Sequence, residues 1–216
     1  MKIIFLILLS FNLYAINIIQ KPINFDETRV SLTKEYINKR YNLQVDDISI
    51  SARMIVIHWT NIDDFEESFN RFVKPRLPKD RAEIQKASVL NVSAHFMIDR
   101  DGSIYKLMDE TTMARHVIGL NYSAIGIENV GGKGNIDNLT SAQLKANIEL
   151  IIYLLEKHQN IDYLIGHHEY TQCTDTALWL ERDKDYRTHK YDPGEDFMQR
   201  LRIHFPKLKQ CQKASQ

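Results

Sequence analysis

Three apolar runs that carry ionisable side chains at or near their ends constrain this chain more than any other feature. Residues 54–59, MIVIHW, are apolar and rich in β-branched side chains that alternate in direction. That pattern predicts a strand, with His58 at its end. Residues 123–132, SAIGIENVGG, predict a second strand. Ile125 and Ile127 share one face of it, and Ala124, Gly126 and Glu128 share the other. A carboxylate therefore projects from a surface of small residues, which leaves room for a ligand. Residues 163–170, YLIGHHEY, predict a short buried strand terminating at His167. Groups at element ends are held by a rigid scaffold while staying within reach of solvent or substrate.

The segments between these runs have their own signals. Residues 93–110 contain two alternating runs around Asp101-Gly102, a pair that tolerates the positive φ angles of a tight turn, so a hairpin is expected. Thr140 and Gln143 match a capping box, and Leu139 with Leu144 a hydrophobic staple. The helix that follows toward His158 is predicted to face the core with Leu144, Ile148, Ile151, Ile152 and Leu155. Near the end of the chain, Asp192 is expected as the N-cap of a helix, with Pro193 at its first position and Glu195 at its third. Residues 61–91, with Pro75 and Pro78, read as a helix followed by an irregular loop. Residues 171–189 read as a charged, aromatic loop beside the site.

The 216 residues are 44% hydrophobic, enough for a full core in one domain. Formal net charge is zero and no stretch is densely basic, which argues against nucleic acid as a partner. The chain begins MKIIFLILLSFNLYAIN, with Lys2, an apolar run and a small residue at Ala15, the build of a secretory signal peptide over residues 1–15. The run is too short for a stable membrane span, and it lacks the cysteine that lipid attachment requires. An exported protein, periplasmic or secreted, is expected. Residues 16–51 read as an N-terminal extension wrapping the domain. Cys173 and Cys211 are the only cysteines; in an exported protein they pair as a disulfide or stay as two thiols, and sequence alone does not decide between these.

A hydrolytic zinc site takes three protein ligands and leaves a position for water. Two imidazoles and a carboxylate satisfy that need, but His58, His167 and Asp192 form no local motif. A histidine closing an apolar strand is more often structural than a ligand, and an aspartate before Pro-Gly-Glu is a good helix cap without any metal.

Taken together and in order, HWT at 58–60, SAHFMIDRDGSIYKLMDE, SAIGIENVGG, IGHHEY and HKYDPGEDF resemble the zinc amidases of the peptidoglycan-recognition and phage T7 lysozyme-like superfamily. The likeness is greatest to the bacterial branch called N-acetylmuramoyl-L-alanine amidase type 2, and it covers about residues 52–205. It implies an α/β fold, a single domain over 52–210 whose central mixed β-sheet is flanked by helices. It also implies one zinc ion per chain, bound by His58, His167 and Asp192. Glu128 becomes the catalytic acid/base, Lys190 the stabiliser of the oxyanion, and His116, in ARHVIGLN, a residue near the substrate. Peptidoglycan or muropeptides become the substrate, and a monomer the expected state. Phage and animal relatives often carry cysteine where Asp192 stands and tyrosine where Ala94 stands; this chain has neither, which fits the branch relying on Glu128. His168, beside His167, is expected to point away and is left out of the ligand set. The rival reading is a non-catalytic peptidoglycan-binding module of the same fold, against which the retained ligand set and Glu128 argue.

Overall fold

The computed structural model describes residues 16–79 and 82–212. The expected signal segment, residues 1–15, lies outside the described residues. Six strands form one mixed sheet. They are β1 (Ile18–Gln20), β2 (Met54–Trp59), β3 (Phe96–Ile98), β4 (Ile104–Lys106), β5 (Ala124–Asn129) and β6 (Tyr163–Gly166). Their spatial order is β1-β4-β3-β5-β2-β6. Only β3 and β4 run antiparallel, as the expected hairpin; β3, β5, β2 and β6 are parallel neighbours. In the turn, Gly102 has φ 89° and donates to the Asp99 carbonyl, a conformation that glycine adopts without steric cost.

The helices are α1 (Glu27–Tyr41), α2 (Phe65–Val73), α3 (Ala82–Gln85), α4 (Ser141–Lys157) and α5 (Glu195–Arg202). Strand alternation divides the core. Ile55 and Ile57 of β2 with Ile125 and Ile127 of β5 pack under Leu150, Ile151 and Leu154 of α4 and Phe197, Met198 and Leu201 of α5. Met54, Val56, Ala124 and Ile165 face the other way, against Val117, Ile118, Leu120 and Tyr170. The helices flanking a mixed sheet agree with the architecture that the resemblance implied.

Two local expectations are corrected. The capping box at Thr140 and Gln143 is formed, and Ile151 is buried in the core with Leu144, Ile148 and Leu155 packed against it, but Ile152 is 47% exposed, and Gln143, Ala146, Asn147, Leu150 and Leu154 are also buried. The buried face extends over Gln143 and Asn147 and leaves Ile152 outside it. Gln143 Nε2 donates to the carbonyls of Ile98 and Val130, and Asn147 Nδ2 donates to Asn129 Oδ1, so polar residues fill the sheet-facing stripe. Second, α5 starts at Glu195 with Gly194 as its cap. Asp192 does not cap it, because its carboxylate is turned toward two imidazoles; Asp137 Oδ2 accepts from Phe197 N instead. Residues before 52, the expected N-terminal extension, pack on the rest of the chain. Strand β1 pairs in parallel with β4, and α1 buries Leu32, Tyr36, Ile37 and Tyr41 against Ile48, Ile50, Leu90 and Met113.

The cysteines are joined as the Cys173–Cys211 disulfide. No helix among the described residues is long and apolar enough to cross a membrane.

Candidate active site

Parallel strands that end side by side leave a crevice beyond their carboxyl ends, the usual ligand position in open α/β sheets. In this chain β5, β2 and β6 end in that way, and each delivers one functional group. His58 and Glu128 are register partners on β2 and β5, so both side chains leave the sheet on the same side. Gly166, the last residue of β6, is level with Ile57. The next residue, His167, opens a 3-10 segment (His167–Cys173) beside His58. Asp192 arrives from the loop before α5. Its backbone carbonyl accepts from the His168 backbone N–H at 2.9 Å and lies 3.0 Å from His168 Nδ1, which anchors the loop and leaves the carboxylate free to turn inward.

The three side chains converge. His58 Nδ1 lies 2.9 Å from His167 Nδ1, and Asp192 Oδ2 lies 2.9 Å from His167 Nδ1 and 3.2 Å from His58 Nδ1. All three residues are buried, and among the described residues they are the group of histidine and acidic side chains able to hold a metal. Ligand atoms around a tetrahedral ion with bonds of about 2.0–2.2 Å stand about 3.3–3.6 Å apart. The observed triangle is only slightly tighter, and two nitrogens with one oxygen are a donor set that suits zinc.

Electrostatics favour the ligand forms. Burial pushes the His167 imidazole down to about 3, with His58 and Lys190 acting in the same sense and Asp192 opposing. Burial by itself raises the Asp192 carboxyl, but the imidazoles of His167 and His58 beside it prevail and hold it well below the usual carboxylate range. At neutral pH His167 therefore presents a neutral imidazole and Asp192 an ionised carboxylate.

A cleft of about 610 Å³ opens above the cluster, and Glu128, His116 and Lys190 share its lining with His58, His167 and Asp192. Glu128 is buried, while Lys190, two residues from Asp192, is partly exposed. His116, expected near the substrate, lines the cleft. Its Nδ1 is 3.0 Å from His58 Nε2 and its Nε2 is 3.2 Å from the Ala124 carbonyl, so both ring nitrogens are engaged within the protein. The room above Gly126 is filled by this ring and not by a ligand: a Cβ there would lie 2.7 Å from His116 Nδ1. Burial, reinforced by His58 and His95, lowers the His116 pKa well below its ordinary value. His168 stays outside the cluster, as expected, and His95 is fully buried between Gly126 N and the Thr112 carbonyl. Sequence reasoning missed Asn121, whose Oδ1 accepts from the backbone N–H of both His116 and Val117 at 2.8 Å. No pattern in the sequence marks it.

Residues 49–195 match a family model described as N-acetylmuramoyl-L-alanine amidase. The chain belongs to the N-acetylmuramoyl-L-alanine amidase family. The activity of this amidase is thus amide hydrolysis in peptidoglycan. It is 39% identical over 103 residues to the endolysin of Escherichia phage T7, a match spanning 44% of this chain and 68% of the relative. It is 38% identical, with the same coverage, to the endolysin of Enterobacteria phage T3. Among solved structures, the amidase LysC from Clostridium intestinale URNW superposes with TM-score 0.51 at 23% identity, covering 89% of this amidase and 99% of LysC. Human PGRP-IBETAC, solved in complex with glycosamyl muramyl pentapeptide, gives TM-score 0.51 at 17% identity, covering 75% and 88% of the two chains. At these identities the superpositions establish the shared fold.

Proposed function

We propose that this amidase is an exported, zinc-dependent hydrolase of the amide bond between the lactyl group of N-acetylmuramic acid and L-alanine, in peptidoglycan or muropeptides. The observation that carries the reading is the meeting of His58, His167 and Asp192, from three separate elements, next to Glu128 in one cleft. A single chain supplies all three donors, which supports one zinc ion per chain and a monomeric enzyme. Export is supported by the buried Cys173–Cys211 disulfide, a bond that persists in oxidising compartments.

His58 and His167, through Nδ1, and Asp192, through its carboxylate, would hold the ion. A zinc ion bound there supplies Lewis acidity toward the scissile carbonyl and lowers the pKa of water. Glu128 takes the proton of the attacking water on its carboxylate and passes it to the departing amine of L-alanine. Lys190 places an ammonium on the cleft wall, where it offsets the negative charge that develops on the carbonyl oxygen. The products are the free stem peptide and the lactyl-bearing sugar.

The test is incubation of the purified protein with cell wall and with a defined muropeptide, with and without a chelator, followed by mass spectrometry. Release of peptide with a free L-alanine amine, stopped by chelator and restored by zinc, is the expected outcome. Cleavage that proceeds unchanged in chelator refutes zinc dependence, and cleavage within the stem peptide refutes the bond assignment.

A further inference from the structure

Helix α1 lies outside the residues matched by the family model, which begin at 49. It nevertheless connects to the candidate ligand His58 through buried hydrogen bonds relayed by Asn121 and the backbone of His116. Asn121 Nδ2 donates to the hydroxyls of Tyr41 at 3.1 Å and Tyr36 at 3.3 Å, the two rings meeting edge to face at 5.6 Å. The other end of the same amide, Oδ1, fixes the backbone of His116 and Val117. The His116 ring lies between His58 Nε2 and the Ala124 carbonyl.

The hydrogens follow one direction. A carbonyl only accepts, so His116 Nε2 carries a proton and donates to Ala124; in the neutral ring, Nδ1 is then an acceptor. His58 must therefore donate from Nε2, which leaves its Nδ1, the atom facing His167 and Asp192, as a lone pair. A partner at the second nitrogen of a metal-binding histidine fixes both its tautomer and its ring plane. A second tie runs from the same helix. Arg40 forms a two-pronged ion pair with Glu181, at 2.7 and 3.0 Å, both side chains being almost fully buried, and this pins the loop that leads to Lys190.

We propose that α1 is a positioning element of the amidase site: Tyr36 and Tyr41 hold Asn121, Asn121 holds the His116 turn, and His116 presents His58 as an Nδ1 ligand. The proposal rests on the reading of His58 as a zinc ligand. His116 is thereby a positioning residue and not a contact to substrate.

The experiment uses the full zinc-loaded chain with three variants: His116→Ala, His116→Asn, which keeps an acceptor near the Nδ1 position, and the double substitution Tyr36→Phe with Tyr41→Phe, which keeps the packed rings. Zinc affinity is read by competition with a chromophoric chelator. The cobalt-substituted protein is read by its visible spectrum, and kcat and KM are measured at saturating zinc. Loss of an outer partner of a metal ligand weakens metal affinity by about 10–100-fold, and that is the expectation for His116→Ala, with one zinc still bound at saturation. The asparagine variant recovers much of this loss. The double phenylalanine variant shows a smaller loss of the same sign, an altered cobalt spectrum and an unchanged KM. Wild-type zinc affinity and cobalt spectrum in both His116→Ala and the double phenylalanine variant overturn the proposal. A raised KM with unchanged zinc affinity in His116→Ala overturns it in favour of a substrate contact. Failure of the underlying reading looks different: His58→Ala then binds zinc at the wild-type stoichiometry.

Discussion

Removing the disulfide has a cost that can be worked from its place in the chain. Cys173 and Cys211 are 38 residues apart and both are buried. Closing a loop of that size withdraws about 13 cal/mol/K of entropy from the unfolded chain, or about 4 kcal/mol at 25 °C. The native state should change little. The tail before Cys211 is also held by Leu164 N donating to the Lys209 carbonyl at 3.0 Å and by Lys209 N donating to the Asp162 carbonyl at 2.7 Å. Equilibrium urea denaturation of the double variant Cys173→Ala/Cys211→Ala against wild type should therefore show about 4 kcal/mol lost, with a somewhat steeper m because the unfolded chain is less compact. For a chain of this size the same loss corresponds to about 8–16 °C in Tm. Turnover at 25 °C stays near wild type, since neither sulfur belongs to the ligand cluster. A stability loss below about 1 kcal/mol refutes the reasoning, and so does zinc release by the folded variant.

Four further outcomes are expected. Glu128→Gln keeps one zinc per chain by atomic absorption and loses about 10²–10⁴-fold in turnover on a defined muropeptide; an active variant removes Glu128 from proton transfer. His167→Ala and Asp192→Asn purify with little or no zinc under conditions where wild type retains it, and an unchanged zinc content rules out the ligand set. Lys190→Ala lowers kcat with little change in KM, so an effect confined to KM counts against its role at the oxyanion. His95 governs part of the acid stability. Burial holds its folded pKa at about 4 against 6.5 for the free side chain, and its Nδ1 must stay deprotonated to accept from Gly126 N. The unfolded chain binds more protons between those values, so stability that is complete above about 6.5 is lost as the pH falls toward 4. Melting of His95→Gln should depend less on pH across that window than wild type; an identical pH dependence contradicts this assignment.

Much of the fold could be read where a local rule and tertiary packing agree. Asp101-Gly102 turns the hairpin, Thr140 and Gln143 cap α4, and the alternation around Glu128 separates the two faces of β5. The misreadings arise where polar residues carry packing. Helix α1 has a regular buried stripe of Arg29, Leu32, Thr33, Tyr36, Ile37, Arg40 and Tyr41, but arginine, threonine and tyrosine on it hide the period from any hydropathy count. Arg29 is buried by donating to the carbonyls of Asn24, Phe72 and Val73, partners 5 to 44 residues away. On α4 the same effect hides part of the buried face, since Gln143 and Asn147 face the sheet and Ile152 is left exposed. Asp192 had two local roles open to it, cap or ligand, and the imidazoles that decide between them are 25 and 134 residues distant. The site histidines became recognisable through the ordered blocks taken together, because no spacing along the chain encodes a meeting of three strand ends. The link from Tyr36 through Asn121 to His116 has no linear signature at all.

The central claim is that His58, His167 and Asp192 jointly hold a zinc ion. Diffraction from crystals of the zinc-loaded enzyme, collected on both sides of the zinc absorption edge, tests it most directly. One anomalous peak per chain is predicted, at about 2.0–2.2 Å from His58 Nδ1, His167 Nδ1 and an Asp192 carboxylate oxygen. A peak on other residues, or a fully active enzyme with no peak at this cluster, contradicts it.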